Sequence, residues 1–193
     1  MSQPSHTSVR LEFLIFETEF GWLALTWSAV GLRRLIFPQP SEALARTQVL
    51  KRTPQANESV LSHAPLWIRR LTRDLQTHLR EGAPVQLSEV NFDLSEVPPF
   101  HFKVYEEAVK ISRGETVSYG ELARRAGSPK AARAVGQAMA RNPLPLLIPC
   151  HRVLAEGGKL GGFTAPGGTV TKTRLLNLER PEGVTVKQMS LLL

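Results

Sequence analysis

The sequence predicts an α+β fold. A small N-terminal domain, residues 1–92, is built on an antiparallel β meander with helices. A mainly helical C-terminal domain, residues 93–193, carries a helix-turn-helix. Three observations lead there. Residues 9–37 hold three short β-prone runs separated by glycine-containing turns. Residues 118–141 carry two helix-start signals on either side of Gly127. The only cysteine, Cys150, follows the apolar, proline-broken run Pro143-Leu144-Pro145-Leu146-Leu147-Ile148-Pro149.

Taken in order, Val9, Leu11, Phe13 and Ile15 alternate with their neighbours as in a strand. Turns at Glu19-Phe20-Gly21 and Ser28-Ala29-Val30-Gly31 lead to the runs 22–27 and 32–37, which Pro38 and Pro40 should end. Ser41 is the expected cap of a short helix reaching about Leu50, with a loop over 51–60. Ile68, Leu71, Leu75 and Leu79 recur at helical spacing, so a longer helix is expected over 64–80, with Pro65 in its first turn and Gly82 as its stop. His63 and His78 stand isolated and are read as surface or structural. Residues 82–99 read as an extended connector. Phe102, Tyr105, Ala108 and Val109 then define a helix over 100–112, closed by Gly114.

Ser118-Tyr119-Gly120-Glu121 has the S-x-x-E pattern of a capping box, starting a helix that Gly127 ends. Ser128 and Pro129 look like the N-cap and first residue of a second helix, running to about Arg141 before Asn142-Pro143 stops it. On that helix Val135, Ala138 and Met139 face a core. Lys130, Arg133, Gln137 and Arg141 lie opposite, among the small residues Ala131, Ala132, Ala134, Gly136 and Ala140. Small side chains allow close backbone approach, and interspersed cations suit phosphates.

Whole-chain composition agrees. The 193 residues carry 24 Lys+Arg against 17 Asp+Glu, a formal charge of +7, which favours a polyanionic partner, nucleic acid first. No apolar run is long enough to span a membrane, and Met1 to Thr7 lack the apolar core of a secretory signal. One cysteine cannot form an internal disulfide, so a reducing compartment is expected: the cytoplasm, or the nucleus in a eukaryote. By itself a lone cysteine is more often a small core hydrophobe than a nucleophile. With His151 and Arg152 adjacent, it becomes a candidate for activation by a lowered pKa.

At Arg133-Ala134-Val135-Gly136, Asn142-Pro143 and Pro149-Cys150-His151-Arg152-Val153, order and spacing resemble the O6-alkylguanine-DNA alkyltransferases, also called methylated-DNA–protein-cysteine methyltransferases. The likeness runs from about Pro99 to Glu179; the N-terminal half agrees only in pattern. It implies direct-reversal DNA repair: irreversible, stoichiometric transfer of an alkyl group from O6-alkylguanine in duplex DNA, with O4-alkylthymine as a second lesion, to Cys150 after nucleotide flipping. It implies a winged-helix-like C-terminal domain and a monomer without cofactor. A zinc site found in some relatives is not expected, because the N-terminal half has no cysteine.

The same resemblance implies roles. Cys150 is the acceptor, His151 its base through a water, and Glu179 the carboxylate that orients His151. Arg133 fills the gap left by the extruded nucleotide. Tyr119 crowds the 3′ phosphate and serves guanine N3, and Asn142 is a hinge. Pro145, Val153, Phe163 and Thr164 wall the pocket, and Arg152 is a further DNA contact. Phe163 replaces the tyrosine of many relatives, and the loop Ala165-Pro166-Gly167-Gly168 is about two residues longer than the shortest versions. Two other readings compete. One is a helix-turn-helix module that binds lesions without chemistry. The other is a Cys-His hydrolase, disfavoured because Pro149 removes a backbone donor beside the cysteine.

Overall fold

The computed structural model describes residues 10–180; the readings at Met1 to Thr7 and at Val9 lie outside them. Strands β1 (Glu12–Thr18), β2 (Gly21–Trp27) and β3 (Leu32–Gln39) form the expected antiparallel meander. The 51–60 loop supplies a short strand, β4 (Asn57–Glu58), parallel to β1, giving the order β3-β2-β1-β4. Both faces of the sheet are covered, which is why β1 lacks clean alternation. Leu11, Phe13, Ala24 and Ile36 pack toward helix α1 (Glu42–Arg52) through Val49. Leu14, Phe16, Leu23 and Leu25 join a second cluster that includes helix α2 (Leu66–Glu81) and continues into the C-terminal helices.

Strand β3 does not stop at Pro38. It lies at the sheet edge, where a missing N–H breaks no ladder, and a register shift opposite Trp22 and Ala24 absorbs the ring. Ser41 caps α1 through Leu44 N–H. Helix α2 buries Ile68, Leu71, Leu75 and Leu79 as expected, and His78 with them. Gly82 ends it in the left-handed region, φ 70°. A Cβ on Gly82 would lie 2.1 Å from the carbonyl oxygen of Leu178, so two helix ends meet there at backbone contact.

Helix α3 (Pro99–Val109) ends before Ser112, and its buried face is Val104, Tyr105 and Ala108. Phe102 and Val109, which share the helical spacing of that face, are exposed. Strand β5 (Val117–Ser118) pairs in parallel with β6 (Val153–Leu154). Helix α4 (Tyr119–Arg125) is capped by Ser118, whose Oγ accepts from Glu121 N–H. The Glu121 side chain does not return the bond; it pairs with Arg124 and Arg125. Gly127, φ 72°, closes α4 in a Schellman arrangement, with Ser128 N–H on Ala123 O and its own N–H on Arg124 O. That arrangement uses Ser128 to stop α4, so α5 (Ala132–Ala140) begins later than expected, with Ala131 rather than Ser128 at the N-cap. Val135, Ala138 and Met139 are its buried face. Helix α6 (Gly168–Leu178) completes the described chain.

Candidate active site

Cys150 sits on a tight turn, not at the end of an extended strand. Pro149, at φ −82° and ψ 68°, forms an inverse γ-turn that puts Cys150 N–H on Ile148 O at 2.8 Å. Cys150–Arg152 then make one turn of 3₁₀ helix. The approach is held by Asn142, whose Oδ1 accepts from Leu144 N–H at 2.9 Å and whose Nδ2 donates to Ile148 O at 2.7 Å. Leu146 is forced to φ 73°, a left-handed conformation that costs a leucine about 1 kcal/mol or more. Leu35 N–H, from β3, donates to Pro143 O, tying this loop to the sheet.

The thiol is 8% exposed, and burial pushes its pKa up, against the expected activation. Asn142, the charge of Lys172 and nearby backbone N–H groups pull the other way without winning. At rest Cys150 is a thiol, so a base must take its proton. His151 is fully buried. Its Nε2 lies 2.9 Å from Oε1 of Glu179, 28 residues on. Arg152 donates from Nε to Glu179 Oε2 at 2.7 Å and from Nη2 to Oε1 at 2.8 Å. Burial raises the Glu179 pKa, but the bonds from Arg152 and His151 outweigh it and hold the carboxyl well below the usual range. A carboxylate only accepts, so Nε2 carries the ring proton and Nδ1 carries the lone pair. Nδ1 is buried with no partner among the described residues. Burial pushes the His151 pKa down, opposed by Glu179, so the imidazole is neutral and able to accept a proton at Nδ1.

Arg152 is not on a DNA-facing surface. Besides Glu179 it donates from Nη1 to Ile111 O at 2.6 Å, so its charge is committed inward. A desolvated guanidinium needs partners, and the Glu179 fork supplies them. Val153 is likewise not a pocket wall: it is fully buried, and its carbonyl accepts from Lys172.

Two residues join the site that the sequence did not assign to it. His78 Nε2 stands 3.6 Å from Glu179 Oε1, with Nδ1 2.8 Å from Ala83 O. Lys172 is fully buried, and Nζ donates to Val153 O and Leu160 O at 2.6 Å. It lies 5.9 Å from the Tyr119 ring centroid and 5.8 Å from that of Phe163. Burial lowers its pKa to about 8. Position gave a signal in both cases. His78 falls on the apolar stripe of α2, and Lys172, Leu175 and Glu179 follow one another at helical spacing.

Pro145, Phe163 and Thr164 line one cavity with Cys150, with Met139, Asn142 and, from β3, Arg34 and Phe37; its volume is about 380 Å³. The Phe163 ring meets Phe37 edge-to-face at 5.7 Å. Tyr119 and Arg133 share a separate cleft between α4 and α5 with Gly120, Ala132 and Gly136. Burial, with a smaller contribution from Cys150, raises the Tyr119 pKa, so its hydroxyl is a donor. Lys130, Arg133, Gln137 and Arg141 are exposed, while Ala131, Ala132 and Ala134 are half-buried beside them.

Comparison with known proteins bears on this arrangement. A family profile described as "6-O-methylguanine DNA methyltransferase, DNA binding domain" matches residues 99–181. A methylated-DNA–protein-cysteine methyltransferase of Cricetulus griseus is 31% identical over 187 residues, spanning 93% of this chain and 85% of that protein. The Bacillus subtilis constitutive form is 49% identical over 82 residues, covering 42% of this chain and 49% of its own length. The crystal structure of Mycobacterium tuberculosis O6-methylguanine methyltransferase superposes with a TM-score of 0.70 at 28% identity, covering 93% of this chain and 98% of that one. A complex of the M. tuberculosis protein with DNA superposes at 0.68, also at 28% identity, covering 94% and 99%.

Proposed function

The chain belongs to the methylated-DNA–protein-cysteine methyltransferase family, and from that premise we propose that Cys150 is the residue consumed. The activity is O6-methylguanine-DNA methyl transfer to a protein cysteine, a DNA repair reaction, and the protein binds DNA. The observation that carries the assignment is the triplet of Cys150, His151 with its free Nδ1, and Glu179.

In the proposed step a water bridges Cys150 Sγ and His151 Nδ1. The thiol proton passes through it to Nδ1, and Glu179 stabilises the imidazolium. The sulfur forms a bond to the alkyl carbon as the carbon–O6 bond breaks. The released electron pair stays on the guanine, which takes a proton from solvent as the His151 imidazolium returns one, so no net proton is gained or lost. The product is a thioether with no carbonyl for water to attack, so each chain turns over once.

The target atom lies inside a duplex, so the nucleotide must be extruded, at a cost of a few kcal/mol. Arg133, exposed on α5 beside small residues, fills the vacated stack. Tyr119, in the same cleft, crowds the rotated phosphate and donates toward guanine N3. Lys130, Gln137 and Arg141 flank it as strand contacts. Asn142 fixes the loop, and Pro145, Phe163 and Thr164 receive the base. Residues 93–193 carry the chemistry, and residues 1–92 brace it. O4-alkylthymine enters the same pocket as a second lesion.

Challenge with a duplex containing O6-methylguanine, followed by intact-protein and peptide mass analysis, tests this. One alkyl group should appear on the Cys150 peptide. Tight binding without modification would favour the binding-only module.

A further inference from the structure

The cavity holding Cys150 has two unlike walls. On the C-terminal side stand Met139, Pro145 and Phe163. On the N-terminal side stand two cations, Arg34 of β3 and Arg52 at the end of α1. The Arg34 side chain makes no hydrogen bond or ion pair among the described residues, and its Nε is buried without a partner there. The two carboxylates near it, Asp93 and Glu96, are both engaged by Arg33. Among the described residues the Arg52 side chain has only the neutral Gln48, at 2.5 Å. Burial and the repulsion of Arg52 both lower the Arg34 pKa, with Glu96 opposing them.

A part-buried guanidinium with no anion in hydrogen-bond contact is held at a cost that an incoming anion removes. A methyl group needs only an apolar wall, and the cavity, at about 380 Å³, reaches the size of a small-ligand pocket.

We propose that Arg34 and Arg52 form an anion subsite of the acceptor pocket, taking a negatively charged oxygen group borne by the lesion strand. Two sources have that chemistry: a carboxylate at the end of the O6 substituent, and the phosphodiester beside the extruded nucleotide. The proposal rests on Cys150 being the acceptor and names a substrate class for that site.

The test compares wild type, Arg34→Met and Arg52→Gln in single-turnover alkylation. Substrates are duplexes carrying O6-methylguanine or O6-carboxymethylguanine, and free O6-methylguanine base, with salt varied. If the substituent supplies the anion, the carboxymethyl-to-methyl rate ratio falls about tenfold in each variant, as loss of a charged hydrogen bond requires. If the phosphodiester supplies it, both duplex rates fall together relative to free base, and the salt slope drops by about one per arginine. Either result supports the subsite. Arg34 is half-buried, so Arg52→Gln, on the exposed side, covers the case in which Arg34→Met fails to fold. Ratios, duplex rates relative to free base, and salt slopes all within about twofold of wild type in Arg52→Gln and in any folded Arg34→Met would overturn it. Absence of any gain on Cys150 in wild type overturns the acceptor assignment and the subsite with it.

Discussion

Arg152 and Arg133 belong to two regions built on opposite terms. Behind the cysteine turn these charges are answered: Arg152 by Glu179 and Ile111 O, Glu179 by His151 and Arg152, Lys172 by two carbonyls. On and beside α5 the cations Lys130, Arg133 and Arg141 stand in solvent beside small side chains, and Arg133 has no ion-pair partner among the described residues. The first region is ordered for proton transfer and leaves His151 Nδ1 open to receive the proton. The second is left unsatisfied for a ligand to satisfy. An arginine beside a reactive residue is therefore not by itself a contact for a nucleic acid; burial and partners decide.

The contrast is most sharply broken at the cysteine. Cys150→Ser should abolish alkyl transfer while DNA binding survives, because a hydroxyl is a far poorer nucleophile. Transfer persisting in that variant, read by mass, would remove the turn from the mechanism.

Next, Glu179→Gln removes the anion shared by His151 and Arg152. Chemical denaturation should show a loss of about 3–5 kcal/mol, as for other buried pairs deprived of one partner. Arg133→Ala should alter stability by no more than about 0.5 kcal/mol. It should nevertheless slow repair in duplex DNA more than reaction with a free alkylated base. If the two variants were equally destabilised, the division between a paired interior and an unpaired face would be wrong.

Acid should act on the interior first. His78 and His151 both have lowered folded pKa values, chiefly from burial, so the unfolded chain binds protons more readily. Their contribution is present above about pH 6.5 and is lost as pH falls below it. Glu179, also lowered, adds a loss beginning near pH 4. Transfer should decline with the protonation of His151, well below pH 6.5. A rate rising toward acid would contradict Nδ1 as base.

The smallest effect expected is at Lys172. Its ammonium titrates at about 8 and favours the Cys150 thiolate. Lys172→Met should slow transfer a few-fold, about 1 kcal/mol, and erase a pH dependence near 8 that wild type shows. Lys172→Arg restoring the rate but not that limb would identify charge as the cause.

Much of this was legible in the residues. The meander, the Ser118 cap, the Gly127 stop and the buried faces of α2 and α5 follow from local rules that neighbours do not override. The reactive turn was locatable, but not its shape, because Pro149 is compatible with both an extended chain and a γ-turn. The pKa of Cys150 was misjudged in direction. Adjacent cations in sequence suggested a thiolate, whereas burial dominates and Arg152 turns away. The meeting of His78 with Glu179 joins α2 to the end of α6, and no local spacing encodes such a distance. Arg34 went unremarked because a cation on a strand is ordinarily solvated.

The contact between Gly82 and the Leu178 carbonyl gives the molecule a fault line outside the reacting residues. A single added methyl there would both meet that oxygen and occupy a left-handed position, levering the helix end that presents Glu179 one residue later. A genetic screen scored only on survival of alkylation would flag Gly82 as though it took part in the reaction. Its real office is that of a shim whose thickness must stay at zero.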